Sequence, residues 1–305
     1  MSIDVTILGC HSATPRENAH PTAQIVTIKN HTFLVDCGEG TQVQLRKYKV
    51  KFNKIKHIFI SHLHGDHFYG LVGLISTFRL LNRETELHIY APKGLKEIIT
   101  LQLKVSKSWT QYPLYFHELN AAKSKIIFED EKVMVSTVPL SHRIYTNGFL
   151  FKEKIGERKL NINAIANYPD IKICDYQNLK NGRDFKLENG KILENKKVTL
   201  NPPKPLSYAF CSDTEYLPEI TPIINKVDGL YHESTFLNDK ENLAKTTKHS
   251  TAQQAATIAK MANVKQLIIG HFSSRYKTKD TFLTEAQNIF KNTVLAEEGK
   301  TFKII

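Results

Sequence analysis

Cysteine is scarce: Cys10, Cys37, Cys174 and Cys211 are the only four in 305 residues. So few thiols cannot form a disulfide scaffold for a chain of this length. None stands in the CxxC spacing of a thiolate zinc site, so they are expected to be reduced and mostly buried. Long apolar runs are missing too. Stretches such as Leu71 to Ile75 fall far short of the ~20 residues that a bilayer-crossing helix needs, so no membrane association is expected. No basic segment with a following apolar stretch and cleavage site opens the sequence, which makes the cytosol the expected compartment. Low-complexity and long single-sign tracts are absent as well. With 41% hydrophobic residues, the chain supports one or two packed domains rather than disorder.

Positive charge is in excess: 42 Lys and Arg stand against 30 Asp and Glu, a formal net charge of +12. That surplus suits an acidic polymer or surface as partner, or marks a soluble protein that runs basic. It says nothing about fold.

The periodicity is that of an α/β protein. Val5 to Leu8, Ala23 to Ile28, Thr32 to Val35 and His57 to Ile60 read as short strands bounded by turn residues, and Phe68 to Leu81 carries apolar residues at helical spacing. Further strands are predicted at Leu87 to Tyr90, Lys132 to Val138, Ser207 to Cys211, Gly229 to His232 and Gln266 to Gly270. Helices are predicted at Lys93 to Val105 and, capped by Ser-Thr, at Ser250 to Ala262. Strands with intervening helices imply sheets shielded by helices. Residues 152–204 do not fit: they are polar, Asn-rich and poorly periodic, with twelve Lys and Arg against seven Asp and Glu. Such a stretch is either a functional insertion or a plain surface excursion.

The sharpest chemical signal is Ser61-His62-Leu63-His64-Gly65-Asp66-His67, directly after a predicted strand. His62, His64, Asp66 and His67 mix imidazole and carboxylate without thiolate, a donor set that suits catalytic zinc or a similar divalent ion. His62 and His64 can point at one ion while Asp66 and His67 diverge toward a second, with Gly65 permitting a sharp turn between them. Four local ligands do not saturate two ions. His142, Asp213 and His271 each follow a predicted strand and sit in a short turn, where site residues collect in α/β folds. Singly each reads as an ordinary loop residue; as a set they become candidate ligands.

HxHxDH with a downstream His, Asp and His resembles the metallo-β-lactamase superfamily, and within it ribonuclease Z, the family of tRNA 3′-processing endonucleases. The resemblance runs almost end to end. It rests on Asp36-Cys37-Gly38-Glu39-Gly40-Thr41-Gln42, Ser61 to Gly73, Pro139 to Arg143, Ser212-Asp213-Thr214, His232 to Phe236, His249 to Ala252 and Gly270 to Tyr276. It implies a four-layer αβ/βα sandwich across residues 1–305, with 152–204 as an inserted substrate-binding arm. It further implies two Zn²⁺ per subunit, other divalent ions being possible: His62, His64 and His142 on one, Asp66, His67 and His271 on the other, and Asp213 between them. The implied activity is a zinc-dependent endoribonuclease that removes the 3′ trailer from precursor tRNA, leaving a 3′ hydroxyl on the tRNA and a 5′ phosphate on the trailer. A homodimer is implied too, because in family members the arm of one subunit grips the tRNA that the other cuts.

Phosphodiester cleavage needs a nucleophile at neutral pH, neutralisation of phosphoryl charge and a proton for the leaving oxygen. Two close metal ions meet the first two needs. Asp66 can orient the attacking water and accept its proton. His249 resembles the family's second catalytic histidine and can donate to the leaving group; the alternative is a helix-capping or core histidine. Glu233 could orient His249, and Asp36 reads as a buried structural carboxylate rather than a ligand.

Arg46, Lys47, Lys49, Lys51, Lys54 and Lys56 form a basic run with Tyr48 and Phe52 interleaved, a pattern for RNA backbone and unpaired bases or for a solvated face. Two segments depart from the family. Cys174-Asp175 replaces the arm's usual Gly-Pro pair, and the loop at residues 13–18 is shorter than the family's, with His11 and His20 nearby. The competing function is a small-molecule phosphodiesterase or other hydrolase of the same superfamily. The basic arm speaks against it, because a compact substrate has no use for a wide cationic surface.

Overall fold

The computed structural model describes residues 2–305, which fall into two compact units: the chain up to Lys152 together with Leu206–Ile305, and Glu153–Pro205. The first unit is built on two seven-stranded sheets. In spatial order one sheet is Thr301–Ile304, Ile3–Gly9, Ala23–Ile28, His31–Val35, Ile55–Phe59, Leu87–Pro92 and Leu114–Leu119. The other is Thr293–Leu295, Gln266–Gly270, Gly229–Glu233, Ser207–Cys211, Thr146–Glu153, Val133–Leu140 and Ile126–Glu129.

Alternation along the strands decides what each face buries. Ile3, Val5, Ile7, Phe33 and Phe59 enter a core shared with Phe149, Phe151, Tyr208 and Phe210 of the second sheet. Each such side chain contributes about 1.5–3 kcal/mol by leaving water. Leu8, Ile25, Leu34 and Ile58 turn the other way and meet Leu71, Leu74 and Ile75 of helix Gly70–Leu80 and Leu95 and Ile99 of helix Leu95–Val105. Helix Ala252–Met261 packs on the strands Gly229–Glu233 and Gln266–Gly270, burying Ala252, Ala255, Ala256 and Ala259. Helix, sheet, sheet and helix make the four-layer αβ/βα sandwich expected from the motifs.

Neighbouring strands from His31–Val35 to Leu114–Leu119 are parallel, as are those from Ser207–Cys211 to Thr293–Leu295. Parallel strands send their carboxyl ends to one edge, and every loop that carries a candidate ligand leaves such an end or that of Val133–Leu140.

Several elements differ from the sequence reading. The helix expected from Phe68 to Leu81 is two, Gly65–Phe68 and Gly70–Leu80, joined at Tyr69. The break lies where the Gly70 N–H donates to the Cys37 carbonyl at 2.9 Å, so that the Cys37-Gly38 loop inserts against the helix start. Gly65 has no positive φ; its missing Cβ makes room for the Tyr69 ring, which would lie 2.1 Å away. The helix after His249 begins at Ala252, capped by Thr251 and Gln254 in a reciprocal box, so His249 lies in the loop before the cap. Strands Leu114–Leu119 and Thr146–Glu153 and helix Thr41–Lys47 carry no periodicity strong enough to be read.

The second unit has its own small core of Ile165, Ile171, Leu179, Leu193 and Val198, despite its polar composition. Two short antiparallel pairings frame it, Lys159–Leu160 with Thr199–Leu200 and Phe185–Lys186 with Ile192–Leu193. Buried Asn195 donates from Nδ2 to the carbonyls of Leu179 and Arg183, at 2.7 and 2.9 Å. Of the four cysteines only Cys174, in this unit, is exposed.

Candidate metal centre

Seven side chains converge at the carboxyl edge of the two sheets. His62, His64, His142 and Asp213 form one group of possible ligands, and Asp66, His67 and His271 another. Asp213 joins them. Its Oδ2 lies 3.7 and 3.8 Å from Nε2 of His62 and His142, whereas its Oδ1 lies 3.2 Å from Nε2 of both His67 and His271. Asp66 Oδ2 completes the second group at 3.4 Å from His67 Nε2 and 3.5 Å from His271 Nε2.

The far nitrogen is already spoken for in four of the five rings, those of His62, His67, His142 and His271. His142 Nδ1 donates to the Lys248 carbonyl at 2.7 Å, and His67 Nδ1 to Asp36 Oδ2 at 2.7 Å. Ser61 Oγ donates to Asp36 and therefore accepts from His62 Nδ1 at 3.0 Å. Thr235 Oγ1 donates to Glu233 Oε2 and accepts from His271 Nδ1 at 2.9 Å. Four imidazoles are thus fixed in the tautomer that leaves Nε2 facing the centre, the arrangement that outer hydrogen bonds impose on metal-binding histidines.

The inward nitrogens crowd together. With their Nδ1 atoms donating outward, His62 Nε2 and His142 Nε2 both accept, at 2.9 and 3.2 Å from His64 Nδ1, which carries at most one proton for the two of them. Burial and neighbouring histidines hold His62 and His64 below the ordinary imidazole range, His64 down to about 4, and burial lowers His142. The buried Nε2 atoms of His67 and His271 have no hydrogen-bond partner although they face carboxylates. Four-coordinate zinc with bonds of about 2.0–2.1 Å places its ligands about 3.3 Å apart. Donor separations of 3.2–3.5 Å in the second group match that spacing, so the residues fit divalent ions.

Asp36 is fully buried and ligates nothing; it holds the Ser61 backbone at 2.7 Å and the His67 ring. Three residues of the centre, Asp36, Asp213 and His271, sit at φ of 55°, 61° and 61°. Such left-handed backbone is tolerated by Asp and His better than by most residues and concentrates at functional sites.

His249 lies beside the second group. Its Nδ1 is 2.8 Å from Glu233 Oε1, and the stack of its ring on His271 has a centroid distance of 5.4 Å. Burial would lower its pKa, but Glu233 outweighs it and pushes the ring up to about 9. Asp66 is held far below the carboxylate range, since the neighbouring His67 and His271 rings overcome its burial. The cleft over the centre encloses about 570 Å³. Asp66, Asp213, His249 and His271 line it together with Arg143 and Arg275. Ser12, Ala13 and Thr14 also reach it, whereas the His20 ring pairs with Glu298 at 2.8 Å. Buried His11 packs on Phe272 instead. Sequence reasoning passed over Thr235 and Ser61, which look like filler inside the two motifs, and gave no role to Arg143 or Arg275.

A family model described as Anti-Pycsar protein Apyc1 matches residues 3–159. The chain is 47% identical over 305 residues to a ribonuclease Z of Cytophaga hutchinsonii, covering 100% of this chain and 97% of that protein. Human tRNase Z, short form, superposes with a TM-score of 0.72 at 27% identity, covering 99% of each chain. The metallo-β-lactamase fold protein YhfI of Bacillus subtilis, 17% identical, superposes with a TM-score of 0.69 and 99% coverage of both chains. The chain therefore belongs to the ribonuclease Z family, on a metallo-β-lactamase fold, and over its first half to the family of the Apyc1 model.

Proposed function

We propose that the protein is a zinc-dependent endoribonuclease that cuts the 3′ trailer from precursor tRNA. The observation that carries this reading is Asp213, whose two oxygens face two adjacent groups of inward imidazole nitrogens beside a histidine held by a buried carboxylate. In this reading His62, His64 and His142 would hold one Zn²⁺ and Asp66, His67 and His271 the other, with Asp213 available to both. When bound, two such ions polarise the scissile phosphate and make water a nucleophile at neutral pH.

The protein side chains manage the protons and the substrate. Asp66, ionised and lining the cleft, orients the attacking water and takes its proton. His249, with Nδ1 committed to Glu233, presents Nε2–H to the 3′ oxygen as the P–O3′ bond breaks. The tRNA leaves with a 3′ hydroxyl and the trailer with a 5′ phosphate. Arg143 and Arg275 neutralise phosphates on either side of the cut. The Glu153–Pro205 unit serves as an exosite for the tRNA body, reading shape and backbone in a homodimer that works in the cytosol.

End-mapping of precursor tRNAs with and without encoded CCA, using protein of measured metal content, tests the reading. Turnover of a nitrophenyl phosphodiester without tRNA cleavage would sink it. Asp66→Ala is expected to abolish cleavage while leaving tRNA affinity within a few fold.

A further inference from the structure

We propose that Lys47, Lys49, Lys51 and Lys54 form a second RNA contact, a groove that holds phosphates of the precursor backbone away from the catalytic cleft. The inference rests on the ribonuclease reading above and adds a substrate-binding site to it.

The groove follows from how one helix ends. Thr41–Lys47 closes with the Lys49 N–H on the Arg46 carbonyl at 3.0 Å and the Val50 N–H on the Leu45 carbonyl at 2.9 Å, with Lys49 at φ 56°. That paired closure reverses the chain. Lys51 and the short 3-10 turn Phe52–Lys54 thereby line the same hollow as Lys47, which encloses about 390 Å³. Attraction to the helix carboxyl end accounts for basic residues in its last turn, Arg46 and Lys47. It does not account for Lys49, Lys51 and Lys54, which lie beyond it.

The floor is polar. Under the helices this sheet face is apolar, with Leu8, Leu34 and Ile58. At the groove it carries threonines: Thr6 pairs with Thr301 and Thr27 with Thr32 across adjacent strands. Lysines above and hydroxyls below are the groups that most often contact nucleic-acid phosphates.

No carboxylate lines the hollow, and among the described residues none pairs with these four lysines. Elsewhere lysines do find acids: Lys265 with Asp228 at 2.8 Å and Lys300 with Glu297 at 2.8 Å. Four clustered ammonium groups repel one another, which an anion relieves. Lysine is a point charge without the fork of arginine, so the groove suits backbone phosphates rather than base edges.

Position separates the groove from the cut. Thr32 stands near the amino end of His31–Val35 and Lys54 directly precedes Ile55–Phe59, whereas the candidate ligand loops follow the carboxyl ends. A five-residue strand spans about 17 Å. The phosphates held here therefore belong to RNA several nucleotides from the scissile bond.

The test is the metal-loaded, full-length protein with all four lysines changed, Lys47→Gln, Lys49→Gln, Lys51→Gln and Lys54→Gln. Precursor tRNA binding is followed by fluorescence anisotropy across a salt series. Each lost phosphate contact should reduce the slope of log affinity against log salt by about 0.7–0.9. Nitrophenyl phosphodiester turnover should stay at the wild-type value, and the matching Lys→Arg variant should restore the slope. An unchanged slope and affinity in the Gln variant overturns the inference, and so does an equal loss of ester turnover, which would mark a structural role. Wild-type protein that neither binds nor cuts precursor tRNA overturns the ribonuclease reading and this inference together; normal cleavage with an unchanged slope overturns this one alone.

Discussion

Glu233 Oε1 lies 2.8 Å from His249 Nδ1, and the same carboxylate receives the Thr235 hydroxyl on Oε2 and the Thr214 N–H on Oε1. One buried acid thus orients a candidate proton donor and, through Thr235, the ring of His271. Glu233→Gln keeps the shape and removes the charge. Its kcat on precursor tRNA is expected to fall about 10²-fold or more, the range of general acid catalysis, with KM little changed. A general acid loses activity as pH rises through its pKa. Because Glu233 is what raises His249 to about 9, the alkaline limb of the kcat profile should move to lower pH in the variant. A profile that superposes on wild type would remove Glu233 from the mechanism.

Among the described residues, Asp213 is the only side chain that faces both ligand groups. Asp213→Ala should therefore lower the metal content at both, while His142→Ala, which faces one group, should leave the other loaded. Inductively coupled plasma mass spectrometry of purified variants checks this. In wild type, chelation should abolish cleavage and lower Tm, because an ion that binds only the folded chain stabilises it by mass action; re-added zinc should restore both. Active protein with no zinc, manganese or similar ion would overturn the site.

The positions of the candidate ligands were legible in the sequence because each follows a short β-rich run at a strand end, a local pattern. Asp36 was legible as structural for the same reason. What could not be read is long-range. That the Asp213 carboxylate divides between the two groups depends on a left-handed φ at residue 213 and on two sheets meeting. Strand Leu114–Leu119 was missed because it sits at a sheet edge, where Tyr115 is 47% exposed and its neighbours alternate weakly. Phe68 to Leu81 kept its helical spacing straight through a break that only the Cys37-Gly38 loop imposes. The core of the Glu153–Pro205 unit escaped because Ile165, Ile171, Leu179, Leu193 and Val198 are too far apart to form a periodic run.

That loop leads to a stability experiment. A Cβ on Gly70 would stand 2.1 Å from the Gly38 carbonyl, and one on Gly38 would stand 2.4 Å from the Asp66 carbonyl. Both contacts are with backbone, which cannot swing aside. Gly70→Ala and Gly38→Ala are therefore each expected to destabilise by about 1–3 kcal/mol, as overpacking does. Since Cys37 and Gly38 follow Asp36, which holds His67, metal affinity should fall as well. Denaturant unfolding and zinc titration measure the two effects; wild-type values for both would show that the loop is free to move away.

A last relationship fixes the acid side of the stability curve. Asp228 is buried; its Oδ2 receives the Ser207 N–H at 2.8 Å and its Oδ1 pairs with Lys265 Nζ at 2.8 Å. Burial alone would raise its pKa, but Lys265 and Ser207 outweigh it and hold the carboxyl below its ordinary value. A depressed folded pKa means that the unfolded chain takes up the proton first as pH falls. The stabilisation is therefore complete above the unfolded value of about 3.9 and disappears as pH drops through the lower folded value. At neutral pH Asp228→Asn should lose about 1 kcal/mol, a modest figure because Lys265 is half exposed and screened. The gap between variant and wild type should narrow only below about pH 4, where both side chains are neutral. Urea unfolding at a series of pH values checks the sign: a gap that widened with acid would mean that the charged form of Asp228 is not the one the fold favours.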